Sequence, residues 1–466
     1  MAIPTANRRR RTLRLSLLAI ALCAILVGSY LALRSTHGTA ANNLSKNTSR
    51  VSTVLLGDEH IIAALYEPET ENANRATGLI LTHENDNFIG SIPCLELAKR
   101  GFTVLCVKSQ YADQAAVEWD QLALDVSAGV DYLHQLPTVH KVVLVGWSGG
   151  GAIMSYYQNV AQNGLGACQA PARLDPCSGD LAHLPAADGV VLLDAIPGIA
   201  FTDLTALDAS VTDEQNLTAR DPSLDMFAPA NGYHADTDVR YDTPFVERYL
   251  DGQAARENNL IKQAQTLRQQ AANGAGQYSA HPPMPVGRDA ARLWQADTSL
   301  LAHTRGRYPL ISPAHPNGDI PRIVPSVRVS SAAPEDNSAW DRDKGGFTAD
   351  TFLSIAAIRT NHPRISADSL TGFDWASTNT ATVNNVHGIK SPLLILSMTG
   401  HYWLVPSEMY YESATQATSR TLAFVEGATH GFTPCAKCAA APGQFGDTVA
   451  ETFNYVGNWL TSNMAS

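Results

Sequence analysis

The chain has 466 residues, 45% hydrophobic and 17% charged, which is too apolar for a disordered chain and too often interrupted by polar residues for a polytopic membrane protein. Its formal net charge of −11 is unevenly spread: eight Lys and Arg precede Asp58 with no acid among them, and the other 25 basic and 44 acidic residues leave the body at −19. An acidic body argues against a nucleic-acid partner, because neutralising phosphates takes a basic surface.

The chain begins with an arginine cluster, Arg8 to Arg11 with Arg14, and then an apolar stretch from Leu15 to Leu33 that is long enough for one helical crossing. Arginines on the N-terminal flank keep that end in the cytoplasm and send the body across. Residues 1–33 are therefore expected to be a signal anchor, or a signal peptide cut near Gly38 and Ala40, where side chains are small. Arg10-Arg11-Thr12-Leu13 is only a faint match to a twin-arginine signal. The body is then extracytoplasmic, either anchored through a single membrane-spanning segment or secreted. Residues 34–50 are polar and aperiodic, which predicts a flexible stalk, and they hold two glycosylation sequons, at Asn43 and Asn47.

From Val51 to about Ile196, strand-like and helix-like runs alternate. "VSTVLL" and "HIIAALYEP" read as an opening pair of strands, followed by "GLILTH", "FTVLCVK", "KVVLVGW" and "DGVVLLD". Helical patterns lie between them in "SIPCLELAKRG", in "VEWDQLALDVSAGVDYLHQL" and from Gly149 to about Gln162. Continuous apolar strands separated by helices predict a mostly parallel, doubly wound α/β sheet covered on both faces. The alternation breaks over residues 197–390, which are rich in Pro, Gly, Asn and Asp. One long helix is legible there: Asp242 and Thr243 offer a cap before Pro244, and Asn273-Gly274 closes it. This stretch is expected to be a largely helical insertion. The sheet pattern resumes over 391–466 with "SPLLILSM", helical "PSEMYYESATQA", strand "RTLAFVEG" and a final helix.

Outside the apolar N-terminal segment, which carries Cys23, there are six cysteines, and an even number in an exported chain permits disulfides. Cys168 and Cys177 bracket a polar loop and are expected to close it. Cys435 and Cys438 form C-x-x-C with no second ligand pair in view, which favours a local disulfide over a redox or zinc site. Cys94 and Cys106 sit among apolar residues and fit buried thiols as well as a bridge.

Between strand "KVVLVGW" and the following helix lies G-x-S-x-G, Gly146 to Gly150, which would lift Ser148 onto a strained turn above the strand ends. A serine needs a base to become a nucleophile. His430 in "FVEGATHGF" falls between the last strand and the last helix, where a loop can hang it over Ser148.

This arrangement resembles the α/β-hydrolase superfamily over residues 51–196 and 391–466. The resemblance implies an oxyanion loop in "LTHENDNF", with the N–H groups of Asn85 and Gly149 as donors. His83-Glu84 stands where the family usually has His-Gly, a feature similar to dienelactone-hydrolase-like proteins, and leaves Glu84 open as a structural or substrate-contacting acid. The family's usual acid, in G-x-x-D-x-x-V-P, is missing from Gly400-His401-Tyr402-Trp403-Leu404-Val405-Pro406. Two carboxylates are candidates in its place: Asp194, preferred for its position at a strand end where such sheets build their sites, and Glu408. The insertion would then be a cap shaping an apolar pocket, with Phe227, Tyr233, Trp294, Trp340, Phe347 and Trp375 either lining it or, for most of them, forming the cap's own core. The implied activity is hydrolysis of a small, apolar ester, thioester or lactone through an acyl-enzyme on Ser148, with no metal or organic cofactor. An amidase or peptidase on the same fold, and a binding protein that keeps the fold without the chemistry, are the alternatives.

Overall fold

The computed structural model describes residues 49–464 except 113, 115–116, 215, 217, 236–238, 275–280, 285, 287–290 and 333–345. The signal or anchor segment with Cys23, the asparagines of both sequons, nearly all of the stalk and Trp340 lie outside the described residues. Among the described residues no helix is long and apolar enough to cross a membrane.

Six strands come first: β1 (Ser49–Leu56), β2 (Ile61–Pro68), β3 (Thr77–Leu81), β4 (Thr103–Val107), β5 (Lys141–Trp147) and β6 (Gly189–Leu193). The last two residues assigned to the stalk, Ser49 and Arg50, already belong to β1, paired with Pro68 and Glu67. Helices α1 (Ile92–Lys99), α2 (Trp119–Gln135) and α3 (Gly149–Asn163) connect these strands. After the insertion come β14 (Leu393–Met398), α4 (Leu404–Ser413), β15 (Arg420–Val425) and α5 (Thr448–Asn463).

Among the described residues the sheet has nine strands in the order β1-β2-β4-β3-β5-β6-β14-β15-β9, where β9 is Leu310–Ile311. β1 and β2 run antiparallel, and from β4 onward neighbours are parallel. This is the α/β-hydrolase fold that the motifs implied. Period-two alternation sorts the strand side chains onto two buried faces. Ile80, Leu144, Leu192 and Ile395 pack on one face with α2 and α3 residues such as Val126 and Tyr156. Leu81, Val145, Leu193 and Leu396 pack on the other with Leu97 of α1 and Phe453 of α5.

The long helix in the insertion spans Thr243–Ala272, capped by the Asp242 side chain on the Phe245 N–H. Short two-stranded ribbons accompany it: β7 (Pro283–Met284) with β11 (Phe347–Thr348), β8 (His303–Tyr308) with β10 (Arg322–Pro325), and β12 (Thr360–Ile365) with β13 (Leu370–Phe373). The segment also supplies β9, which the sequence pattern did not single out because two residues carry no period. The Phe424 and Glu426 N–H groups donate to the Pro309 and Ile311 carbonyls, at 3.0 and 2.9 Å, so β9 covers the open edge of β15.

Among the described residues three disulfides are formed: Cys94–Cys106, Cys168–Cys177 and Cys435–Cys438. The first ties α1 to β4, a pairing the spacing alone had left open. The aromatic residues of the insertion mostly meet one another: Phe227 and Tyr233 lie 4.9 Å apart, Trp294 and Trp375 flank Phe201, and Phe347 meets Phe352.

Candidate active site

Ser148 leaves β5 and caps α3 with φ 58° and ψ −127°, in the left-handed region that non-glycine residues rarely enter. Backbone bonds hold it there: its N–H donates to the Leu193 carbonyl at 3.2 Å, and its carbonyl accepts from Ile196 at 3.1 Å and Gly151 at 3.0 Å. The neighbouring glycines leave space for this turn. A Cβ on Gly146 would lie 2.6 Å from the Gly151 Cα, one on Gly150 would run into the Thr82 carbonyl, and one on Gly149 would overlap the Glu84 carboxyl.

His430 sits in the loop between β15 and α5. Its Nε2 is 2.8 Å from the Ser148 Oγ and its Nδ1 2.6 Å from Asp194 Oδ2. The Trp147 indole N–H donates to the His430 carbonyl at 2.9 Å, and the Thr429 N–H donates to the Thr433 carbonyl at 2.8 Å, so the loop is braced from both sides. Trp147 occupies the variable position of the glycine motif, and nothing in the sequence marked it for this task.

Asp194 follows β6 directly, with φ 44° and a fully buried side chain. Its Oδ1 accepts from the Ser397 hydroxyl at 2.9 Å and the Met398 N–H at 3.2 Å, both on neighbouring β14. Burial alone would raise this carboxyl, but His401 and His430 beside it hold it below the usual carboxylate range. Glu408, the other candidate acid, is on α4 and is also buried. It accepts from the Arg305 N–H at 2.9 Å and the Gly306 N–H at 2.7 Å, and no described bond joins it to His430.

His401, which the sequence reading passed over, belongs to this group. Its Nδ1 lies 2.7 Å from the same Asp194 Oδ2, off the direction of a regular hydrogen bond, and its ring stacks on His430 at 4.3 Å and 24°. Burial lowers its pKa to about 4, with Asp194 opposing and His430 and Arg328 adding to the effect. Asp194, His401 and His430 together offer three metal-type donors. Two ligands of one zinc ion, each about 2.0–2.1 Å from it in a tetrahedron, stand about 3.3 Å apart. The oxygen here lies 2.6 and 2.7 Å from the two nitrogens, too close for two ligands of one ion, and the 2.6 Å to His430 is a hydrogen bond.

On the other side of Ser148, Gly149 N–H belongs to the first turn of α3, where backbone donors have no partner within the helix. The Asn85 N–H is directed at His83 Nδ1 across 3.4 Å. The Glu84 carboxyl packs over Gly149 and is almost fully buried; its Oε2 lacks a hydrogen bond, although His83 Nδ1 is 3.0 Å away and out of line. Burial raises its pKa, outweighing the opposing pull of His83.

No family model matches the chain, and no curated protein matches it in sequence. Among solved structures it is similar to Est1E from Butyrivibrio proteoclasticus, at 11% identity over 89% of this chain and 99% of that one, with a TM-score of 0.38. It is similar to GrgF from Penicillium sp. sh18, described as an α/β hydrolase, at 11% identity over 90% of this chain and 99% of that one, with a TM-score of 0.39. It is also similar to carboxyl esterase 2 from Tuber melanosporum, at 10% identity over 91% of this chain and 89% of that one, with a TM-score of 0.37. Likenesses of this size bear on neither substrate nor individual residues.

Proposed function

We propose that the protein is a serine hydrolase that cleaves a small carboxylic ester, thioester or lactone through an acyl-enzyme on Ser148. The observation that carries this reading is the unbroken line from Ser148 Oγ to His430 Nε2, at 2.8 Å, and from His430 Nδ1 to Asp194, at 2.6 Å. His430 takes the hydroxyl proton as the Oγ attacks the carbonyl carbon, and then gives that proton to the leaving oxygen or sulfur. Asp194 orients the ring and stabilises the imidazolium. Water then repeats the sequence on the acyl-enzyme. Gly149 N–H is one donor to the developing oxyanion; Asn85 N–H is the second once it releases His83. Each such donor contributes a few kcal/mol in the transition state, roughly 10²–10³ in rate. A neutral Glu84 suits this place, because a carboxylate there would oppose the oxyanion, and its burial favours the protonated form. The reaction calls for no metal or organic cofactor.

Three disulfides and the arginine-led apolar segment at the N-terminus support a place outside the cytoplasm for this chemistry. A fluorophosphonate probe tests the nucleophile: the wild type should label and Ser148→Ala should not, and equal labelling of the two sinks the proposal. On nitrophenyl esters, Asp194→Asn should cut kcat by about 10³–10⁴. Glu408→Gln should lower the melting temperature instead, because it disturbs a buried acceptor of two backbone N–H groups.

A further inference from the structure

We propose that His401 is a positioning residue for the reaction: it remains neutral, braces the His430 ring from one face and holds its Nδ1–H beside Asp194, where the N–H dipole, although out of line for a regular hydrogen bond, offsets part of the carboxylate charge. The inference rests on the serine-hydrolase reading above, and it deepens it.

Asp194 Oδ1 is already occupied by Ser397 and Met398, so Oδ2 alone serves the histidines. Two imidazole nitrogens approach it, His430 Nδ1 at 2.6 Å and His401 Nδ1 at 2.7 Å. Close approach to a carboxylate oxygen places the proton of the neutral His401 on Nδ1. Stacking at 4.3 Å fixes the face of His430, and the rings of Tyr402 and Trp403, with centroids 3.8 and 5.7 Å from His401, hold His401 in turn. The charged and titratable groups around His401 are Asp194, His430, Arg328 and the Tyr402 hydroxyl. Arg328 donates to the Leu300, Leu301 and Trp294 carbonyls and to the Ser326 hydroxyl, and its positive charge, with Asp297 also near it, disfavours a charge on His401. Burial, aided by His430 and Arg328 and opposed by Asp194, keeps the second ring uncharged, which matters because an imidazolium has to form on His430 only 4.3 Å away.

The motif explains the location. His401 lies in the segment after β14 where the family places its acid. Here the acid comes from β6, the strand beside β14, and the vacated segment holds a histidine turned toward that acid.

The roles of the ring separate in two variants. His401→Phe keeps the stack and removes the donor; His401→Asn removes the stack but puts an amide N–H close to where Nδ1 stood. In His401→Phe, kcat on a nitrophenyl ester should fall about tenfold or more with KM unchanged. The acid limb of kcat/KM should also move to higher pH, because an Asp194 that no longer shares its charge favours protonated His430 more strongly. His401→Asn should return the acid limb toward the wild-type position. If the Phe variant keeps the wild-type kcat and pH profile, or if the Asn variant leaves the limb where Phe puts it, the proposal is overturned. Nitrogen-15 histidine NMR of the wild-type chain provides a measurement independent of variant folding. With the His401 signal assigned through its contact with the Tyr402 ring, a neutral ring protonated on Nδ1 at pH 6 supports the proposal, and a His401 ring that titrates near the ordinary histidine value refutes it. Failure of the hydrolase reading is a different result: the wild type itself would neither label with fluorophosphonate nor turn over esters.

Discussion

Glu84 carries a carboxyl to a place where its charge is costly. It is almost fully buried, packs over Gly149 and leaves one oxygen without a hydrogen bond. Its pKa in the folded chain is raised above 4.5, chiefly by burial, so the folded chain holds the proton at pH values where the unfolded chain has lost it. Stability from this group is therefore greatest below the unfolded pKa, and it falls as pH climbs toward and through the folded one. Glu84→Gln should raise the melting temperature at pH 8 and leave it nearly unchanged at pH 4, as read by thermal melts across that range. A gain of equal size at both pH values would show that burial of the charge is not the cause. At this scale the sequence was partly legible. It marked Ser148 and His430, because glycine sterics and loop order are local properties, and it put Asp194 ahead of Glu408 from its place at a strand end. His401 gave no such signal, since its partner is an acid on another strand.

The loop after β15 is the element on which the site turns. Its conformation is built from Ala428 bridging Pro434, the Cys435 N–H donating to the Gly427 carbonyl at 2.7 Å, the Cys435–Cys438 disulfide and the Trp147 indole on the His430 carbonyl. Phe432 in the same loop has φ 68°, a conformation that its packing against Trp147 and Phe453 maintains. Trp147→Phe removes one neutral hydrogen bond and keeps most of the ring packing. Its expected cost to stability is about 0.5–1.5 kcal/mol. Because that bond fixes the backbone of His430, the proposed base, the loss should appear mainly in kcat, severalfold, with KM held. Steady-state kinetics on a nitrophenyl ester check this, and a KM effect without a kcat effect would place Trp147 against substrate instead. C-x-x-C spacing revealed the local disulfide in this loop, but its use in framing the base depends on a fold that brings residues 147 and 430 together.

For the molecule as a whole, the segment between β6 and β14 is woven into the sheet. It supplies β9 on the edge of β15, and its residues Phe201, Tyr249, Trp294 and Phe352 share one continuous core with Ile80 and Leu144 of the sheet. Replacing residues 200–385 by a short linker should leave the β15 edge unpaired and that core open to water, and the product should be insoluble or bind a hydrophobic dye. A soluble shortened chain with a cooperative melt would refute this coupling.

The sequence by itself determined the order and kind of the core elements, the glycine turn at Ser148 and the loop that carries His430, because side-chain period and the steric freedom of glycine act over a few residues. Tertiary structure decided the rest: that β9 joins the sheet, that Cys94 bonds Cys106, and that Asp194 rather than Glu408 meets His430 with His401 alongside. The first and the last of these follow from strand order. β6 lies beside β14 and β15 beside β9, although nearly 200 residues separate the first pair along the chain and more than 100 the second. Only the packed sheet brings them within hydrogen-bonding distance.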